Sequence, residues 1–495
     1  MGSQALLALV AILTVAAVTV ATNPGVKVRI TKRGIDYANT VAQAALNQAL
    51  KTLKIPNQSG SGHHFEWSLF NIQNQGVNLP TSQISLDPPH HGLIWSLRNL
   101  GLSLKADWRV KYKKGWVKIS DSGSVSVDVK GASVSVSISF GVDKTGRPSM
   151  TTASCNAYVR DIDVKFHGGQ AFILNLFRGT VEDKIKGLLP GQICKLVSKE
   201  VNEDGEAKLA KLKVTVEMAH KFLLDYRLVA APTISASIFE TQHKGEVYWK
   251  EDMKEAPFTT KPIPELADVS KMMYVWLTEY TANTYAYAAQ THNYLVRNLT
   301  AQDLPPGNRS LLNTTCSKGM CIGKLIPQIG KQFPNSVVSV HAVSTATPAI
   351  SITPKAVVLS AQGNVDVYAT EANKTSVFLL RMNMTVGLTV NASIVDQRLS
   401  GKIVDYNFDV GILKSNVGHL NPRSLNIILN FAMDQVVIPM LNDFGKKGFD
   451  LPVSGDIKFE YTSLQLLNGS LLVATDVSQT RKDFSLRFHP EALEA

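Results

Sequence analysis

Apolar and polar residues alternate almost without a break from Val125 to Phe140. Val125, Val127 and Val129 are separated by Ser126 and Asp128, and Val134, Val136, Ile138 and Phe140 by serines. A repeat of two over this length predicts antiparallel strands with one apolar and one wet face. Lys130-Gly131, between the two runs, is expected to turn the chain. The same texture, punctuated by Gly, Pro and Asn, covers residues 65–165. On either side the spacing lengthens to that of a helix. Ile35, Ala38, Ala42, Ala45, Leu46, Ala49 and Leu53 make one alanine-rich stripe through Asp36 to Lys54, which Pro56 stops. Small residues here let the helix sit close to a sheet, or leave room for a guest acyl chain. Gln170 to Glu200 is helical again, with Pro190-Gly191 expected to interrupt it. Short strands are expected at Val26 to Ile30 and at Leu212 to Val216.

The order then repeats. Lys271 to Arg297 is expected to be helical, residues 335–415 strand-rich, Ser424 to Lys446 helical, and Ile457 to Leu472 strands again. A local echo accompanies the repeat: Ile84-Ser85-Leu86-Asp87-Pro88 against Ile350-Ser351-Ile352-Thr353-Pro354. Between the halves, Pro257, Pro262 and Pro264 predict an extended linker, although Lys244 to Trp249 could form an isolated strand. The expected organisation is a leader over 1–21, a first unit over 22–239, a linker over 240–264 and a second unit over 265–495.

The leader is the apolar run Ala5 to Val20, closed by small residues and Thr22-Asn23-Pro24. It is short for a membrane span and has the form of a secretory signal, though without an early Lys or Arg. The later run Leu425 to Leu441 is interrupted by Asp434 and Pro439, so a secreted, soluble protein is expected. Secretion favours disulfides over metal or redox chemistry for the four cysteines. Bridging Cys155 to Cys194 would tie a strand to a helix. Cys316 and Cys321 would close a small ring, with a two-ligand metal site as the weaker reading. N-glycosylation sequons stand at Asn57, Asn298, Asn308, Asn313, Asn373, Asn383, Asn391 and Asn468, mostly in the second half.

Charge separates the halves. Residues 1–240 hold 28 Lys+Arg against 18 Asp+Glu, and the remainder 23 against 22. An anionic partner is expected for the first half. The densest cluster is Trp108-Arg109-Val110-Lys111-Tyr112-Lys113-Lys114-Gly115-Trp116-Val117-Lys118: five cations, three aromatics and no acid. It would suit a loop held out at a sheet end to meet anionic amphiphiles.

Asn23-Pro24-Gly25-Val26-Lys27-Val28-Arg29-Ile30 with Gly34-Ile35-Asp36-Tyr37-Ala38 resembles the mature start of the bactericidal/permeability-increasing and lipopolysaccharide-binding proteins. The likeness continues through Lys54-Ile55-Pro56, Leu79-Pro80-Thr81-Ser82-Gln83-Ile84-Ser85, the Cys155/Cys194 pair, Leu228-Val229-Ala230-Ala231-Pro232 and Lys447-Gly448-Phe449-Asp450-Leu451-Pro452. It implies an α+β fold: an elongated boomerang of two similar barrels, each a highly twisted antiparallel sheet with long helices, joined by a central β-sheet. It also implies apolar pockets for phospholipid, and lipid A binding at the basic tip of the first barrel. The match puts Arg109, Lys111, Lys113, Lys114 and Lys118 in one tip loop, with Trp108 and Trp116, and Arg178, Lys184 and Lys186 in the segment matching another. One departure is that Pro56 to His64 is shorter than the antibacterial member's tip loop and lacks its lysine. Cys316/Cys321 is a second departure.

The expected partners are therefore lipopolysaccharide, phospholipids and the bacterial outer membrane surface. Lys and Arg offer phosphate both charge and donors, and tryptophan suits the boundary between headgroups and chains. Phospholipid transfer, lipopolysaccharide presentation without killing, and an inert glycoprotein are the alternatives. The sequence holds no nucleic-acid motif, no G-x-S-x-G, P-loop, G-x-G-x-x-G or H-E-x-x-H, so neither nucleic acid nor catalysis is expected. Neighbouring histidines on an extended segment point to opposite faces, so His63-His64 and His90-His91 are not expected to bind metal.

Overall fold

The alternating stretches form one long antiparallel sheet in each half, and a third sheet lies between them. A computed structural model describes residues 23–479 apart from 52–54, 56, 63, 170, 219 and 452–456. The expected leader lies outside the described residues.

The chain starts with strand β1 (Val26–Thr31) and helix α1 (Lys32–Lys51). Then come β2 (Gln58–Ser61), β3 (Phe65–Asn78), β4 (Thr81–Asp87), β5 (Gly92–Lys114), β6 (Val117–Val142) and β7 (Pro148–His167). They lie in the order β2-β3-β5-β6-β7, with β4 also paired to β5. Helix α2 (Ala171–Lys199) returns along β7, and Cys194 bonds to Cys155 with an S–S length of 2.04 Å. Five short strands follow: β8 (Thr215–Met218), β9 (Phe222–Asp225), β10 (Thr233–Ile234), β11 (Ile238–His243) and β12 (Glu246–Trp249). The second half opens with β13 (Met273–Thr278), α3 (Glu279–Thr291) and β14 (Val296–Leu299).

Its sheet is completed by β15 (Val337–Ser344), β16 (Ala349–Ile352), β17 (Val357–Thr370), β18 (Ser376–Val395), β19 (Arg398–Ser415) and β20 (Phe449–Asp450). The order is β14-β15-β17-β18-β19-β20, with β16 also paired to β17. Helices α4 (Pro422–Ala432) and α5 (Ile438–Lys447) are joined through a π-helical turn, Met433–Val437. Strands β21 (Ile457–Leu467) and β22 (Ser470–Gln479) close the central sheet, β10-β11-β1-β13-β22-β21. The two halves are built alike, since β4 flanks β5 as β16 flanks β17. The short sequence echo falls on this equivalent pair of strands.

Burial explains the elements. In the first half Leu46 and Leu50 of α1 pack with Trp108, Val110, Val125, Val127 and Val129. In the second, Leu425 and Ile428 of α4 pack with Leu379, Leu380 and Met382. The central sheet is buried on both faces, by Val26, Val275 and Val473 on one and by Tyr274, Trp276 and Leu472 on the other.

Four expectations change. Residues 271–297 are not one helix: Met273–Thr278 is a central strand, and the helix begins at Glu279. A strand buried on both faces is apolar throughout and loses its alternation, so it reads like a buried helix. Lys130-Gly131 is no turn. Strand β6 runs through it, with Lys130 opposite Asp161 and Ala132 opposite Val159 in unbroken register, while Gly131, at φ +61°, falls where β6 slips by one residue against β5. Pro190 lies inside α2 without ending it, held by Leu189 packing on the core and by the disulfide four residues on. The linker is shorter at its start than expected. Strands β11 and β12 pair with β1 and β9, so the irregular strap covers 253–270.

A candidate cationic, aromatic-tipped hairpin

Strands β5 and β6 end in a two-residue turn, Gly115-Trp116, between the paired residues Lys114 and Val117. Gly115 has φ +62°, the positive value that tight hairpin turns need. Below the turn Lys113 stands opposite Lys118, Lys111 opposite Ser120 and Arg109 opposite Ser122. Directly opposed residues share a face, and every second residue along a strand does too. Arg109, Lys111, Lys113 and Lys118 therefore project from one wet face, and all four are exposed. Lys114 is exposed beside the turn, and Trp116 at the apex is 91% exposed.

Among the described residues no ion pair neutralises this group directly. Lys165 nearby is tied to Asp163 at 3.1 Å, whereas the five hairpin cations have no such acid among the described residues. Three acids lie in or beside these rows: Glu66 on β3 opposite Lys111, Asp121 on β6 opposite Val110, and Asp107 two residues before Arg109. The Arg109 guanidinium lies over the Phe70 ring at 5.6 Å, which orients it. The turn between β2 and β3 reaches the same end, because the Lys113 N–H donates to the His64 carbonyl at 2.7 Å. The short loop without lysine thus lies at the tip and presents His64 there; His63 is outside the described residues.

The tryptophans part company. Trp108 was expected at the lipid surface and is instead 2% exposed, in the core. Its indole N–H donates to the Ser124 carbonyl at 3.1 Å, and Phe166 meets it edge-on at 5.8 Å. The reason is strand phase: outward 109, 111 and 113 force 108 and 110 inward. The same phase identifies a cation that the sequence reading missed. Lys105 is exposed on the outer face, and Ser126 separates it from Lys165 in one cross-strand row.

Arg178, Lys184 and Lys186 belong to a helix and not to this hairpin. They lie on α2, whose start adjoins the hairpin base at Gly169, near Asp121 and Trp108. At about 1.5 Å per residue, Lys186 is ~22 Å further along the helix, leading away towards Cys194. Lys186 is exposed; the side chains of Arg178 and Lys184 are outside the described set.

Elsewhere Cys316 and Cys321 are bonded, with an S–S length of 2.00 Å. The His90 ring bonds Asp87 at 2.8 Å, a local turn contact. Among the described residues no group of three or more His, Cys, Asp or Glu side chains could hold a metal ion. The sequon residues Asn57, Asn298, Asn373, Asn383, Asn391 and Asn468 are exposed, and Asn308 and Asn313 are half-buried.

Two halves built alike around a shared central sheet make this a two-domain α+β protein. It belongs to the LBP / BPI / CETP family: the family's N-terminal domain matches residues 34–209 and its C-terminal domain residues 216–479. The chain is 32% identical to the bactericidal permeability-increasing protein of Sebastes schlegelii, over 96% of this chain and 98% of that one. It is 25% identical to the lipopolysaccharide-binding protein of Bos taurus, over 97% and 99% respectively. A crystal structure of lipopolysaccharide binding protein superposes with a TM-score of 0.56 at 24% identity, covering 93% of this chain and all of that one.

Proposed function

We propose that this is a secreted host-defence protein that binds the lipid A part of lipopolysaccharide through the β5–β6 hairpin and permeabilises or kills Gram-negative bacteria. The observation that carries the reading is the wet face of Arg109, Lys111, Lys113 and Lys118 beneath the exposed Trp116. Each basic residue near an anionic surface contributes about 1 kcal/mol, so five contribute roughly 5. Burying one acyl chain of about a dozen methylenes is worth ~10 kcal/mol against water, but little against a bilayer in which the chain is already buried. Charge then selects the membrane, and apolar pockets holding phospholipid chains select and retain the lipid. The relatives named for bactericidal and lipopolysaccharide-binding activity support the same reading.

Replacing Arg109, Lys111, Lys113, Lys114 and Lys118 together with serine should abolish high-affinity lipopolysaccharide binding and killing while the protein stays folded. Unchanged binding in a titration at physiological salt rejects the assignment.

Lipid transfer between membranes is the second reading, favoured by one feature. The helix Leu425–Lys447 is long and apolar enough to cross a membrane, yet little of it is buried, and Phe444 and Ile427 stand largely exposed. Vesicle-to-vesicle transfer that survives the serine variant, from a parent protein that does not kill, decides for the carrier. Lipopolysaccharide binding without killing decides for presentation.

A further inference from the structure

We propose that the strap over residues 253–270 is fastened by a sugar: an N-linked N-acetylglucosamine on Asn468 that seats in the cleft between the strap and the second half. This rests on the secretory reading above. Asn468-Gly469-Ser470 is a sequon placed in the turn between β21 and β22, where Leu467 pairs with Ser470. The turn is fixed by the Gly469 N–H, which donates to the Ile352 carbonyl at 2.9 Å, and by the positive φ of Gly469. Asn468 is exposed, yet it also lines a cleft of about 260 Å³.

The walls of that cleft match a hexose ring. Phe258, Pro262 and Ile263 of the strap give one apolar wall. Lys261 and Glu279 supply charged groups, beside an Asn283 amide already bonded to the Glu279 and Ile350 backbone. A sugar ring has the same two characters, an apolar C–H face and a polar rim. A second observation concerns the sequon's own serine: the Ser470 hydroxyl, also in the lining, is buried with no hydrogen-bond partner. A buried hydroxyl left unpaired is costly, and a hydroxyl or acetamido group of the first sugar would satisfy it.

The strap needs such support here. It is tied down on one side by the Asn23 amide donating to the Thr260 carbonyl at 3.1 Å. On the other, Arg29 donates to the Leu266 carbonyl at 2.6 Å. Between these ties Pro262 and Pro264 have no N–H to offer, and Lys261 makes only a surface ion pair with Glu279, at 2.7 Å. Ile263 gives the stretch its apolar contact with the central sheet.

The chemistry is the ordinary transfer from a polyisoprenoid-pyrophosphate-linked oligosaccharide. The Asn468 amide nitrogen forms a bond to sugar C1, the C1–oxygen bond to pyrophosphate breaks, and one amide proton leaves with the pyrophosphate. Ser470 is buried in the finished fold, so transfer precedes closure of the β21–β22 turn.

The test uses the full chain secreted from cultured eukaryotic cells. Glycopeptide mass spectrometry reads occupancy at Asn468 and at Asn383, and hydrogen exchange reads the amides of Thr259, Thr260, Lys261, Ile263 and Glu265. We expect Asn468 to be occupied. Asn468→Gln, or enzymatic removal of the glycan from the folded wild type, should speed strap exchange roughly threefold to tenfold, while Asn383→Gln leaves it unchanged. An unoccupied Asn468, or an occupied one whose loss leaves the strap unchanged, overturns the proposal. If Asn383 carries sugar and Asn468 does not, only the proposal falls. If the chain is not recovered from the medium, the secretory reading falls with it.

Discussion

Lys113 and Lys118 stand directly opposite each other one step below the β5–β6 turn, two like charges on one wet face. Such a pair destabilises a hairpin by a few tenths of a kcal/mol, and an anion between the two ammonium groups removes the conflict. Lys118→Ser should therefore raise thermal stability slightly while weakening lipopolysaccharide binding by about fivefold, the loss of one cation near an anionic surface. A thermal scan and a titration check the two opposite signs; movement in the same direction contradicts the role given to the pair.

The two tryptophans of this segment should separate stability from binding. Trp108 fills the first-half core, so Trp108→Ala should cost about 3–5 kcal/mol in denaturant unfolding. Trp116 touches solvent over nearly its whole surface. Trp116→Ala should leave the unfolding midpoint in place and weaken association with anionic vesicles. In the wild type, emission from Trp116 should shift to the blue when vesicles carrying lipopolysaccharide are added.

His243 should make the waist of the molecule sensitive to acid. Its Nδ1–H donates to the Tyr226 carbonyl at 2.8 Å, and the Tyr226 ring lies tilted against it at 4.3 Å. Burial holds the imidazole below its ordinary value of 6.5, against an opposing pull from the Tyr226 carbonyl. As pH falls through about 6.5 the unfolded chain takes up the proton first, so this contribution to stability is complete above that pH and declines below it. The melting temperature should drop on acidification from pH 7, with a shallower slope in His243→Asn. Parallel slopes would exclude this histidine as a source.

The two disulfides should differ in weight. Cys155 and Cys194 close a loop of 39 residues and Cys316 and Cys321 one of 5. Chain entropy gives about 4 kcal/mol for the first and roughly 2 for the second. Replacing Cys155 and Cys194 by serine should lower the unfolding midpoint more than replacing Cys316 and Cys321, as measured by urea unfolding under non-reducing conditions.

How far the sequence could be read depended on how many faces of each element meet solvent. The long strands of the first half each have one wet face, so their alternation predicts both the sheet and the outward cations. Asp36 to Lys54 is legible for the same reason, as a helix with one apolar side. Tyr274 and Trp276 sit in a strand covered on both sides, where the two-residue period vanishes and only β-branched and aromatic content argues against a helix. Trp108 was misassigned because composition groups it with the cations, while strand phase sets it against them. The distance of Lys186 from the hairpin depends on the direction in which α2 returns along β7. That is a tertiary fact, with no trace in local spacing.

The central sheet decides what a break in the strap would do. Strand β1 from the first half lies against β13 from the second, rung by rung from Val26 opposite Leu277 to Ile30 opposite Met273. The halves are stitched by a ladder rather than joined by a tether. A nick between 253 and 270 would cut the covalent path and leave the seam closed, so the strap guards the joint without bearing its load.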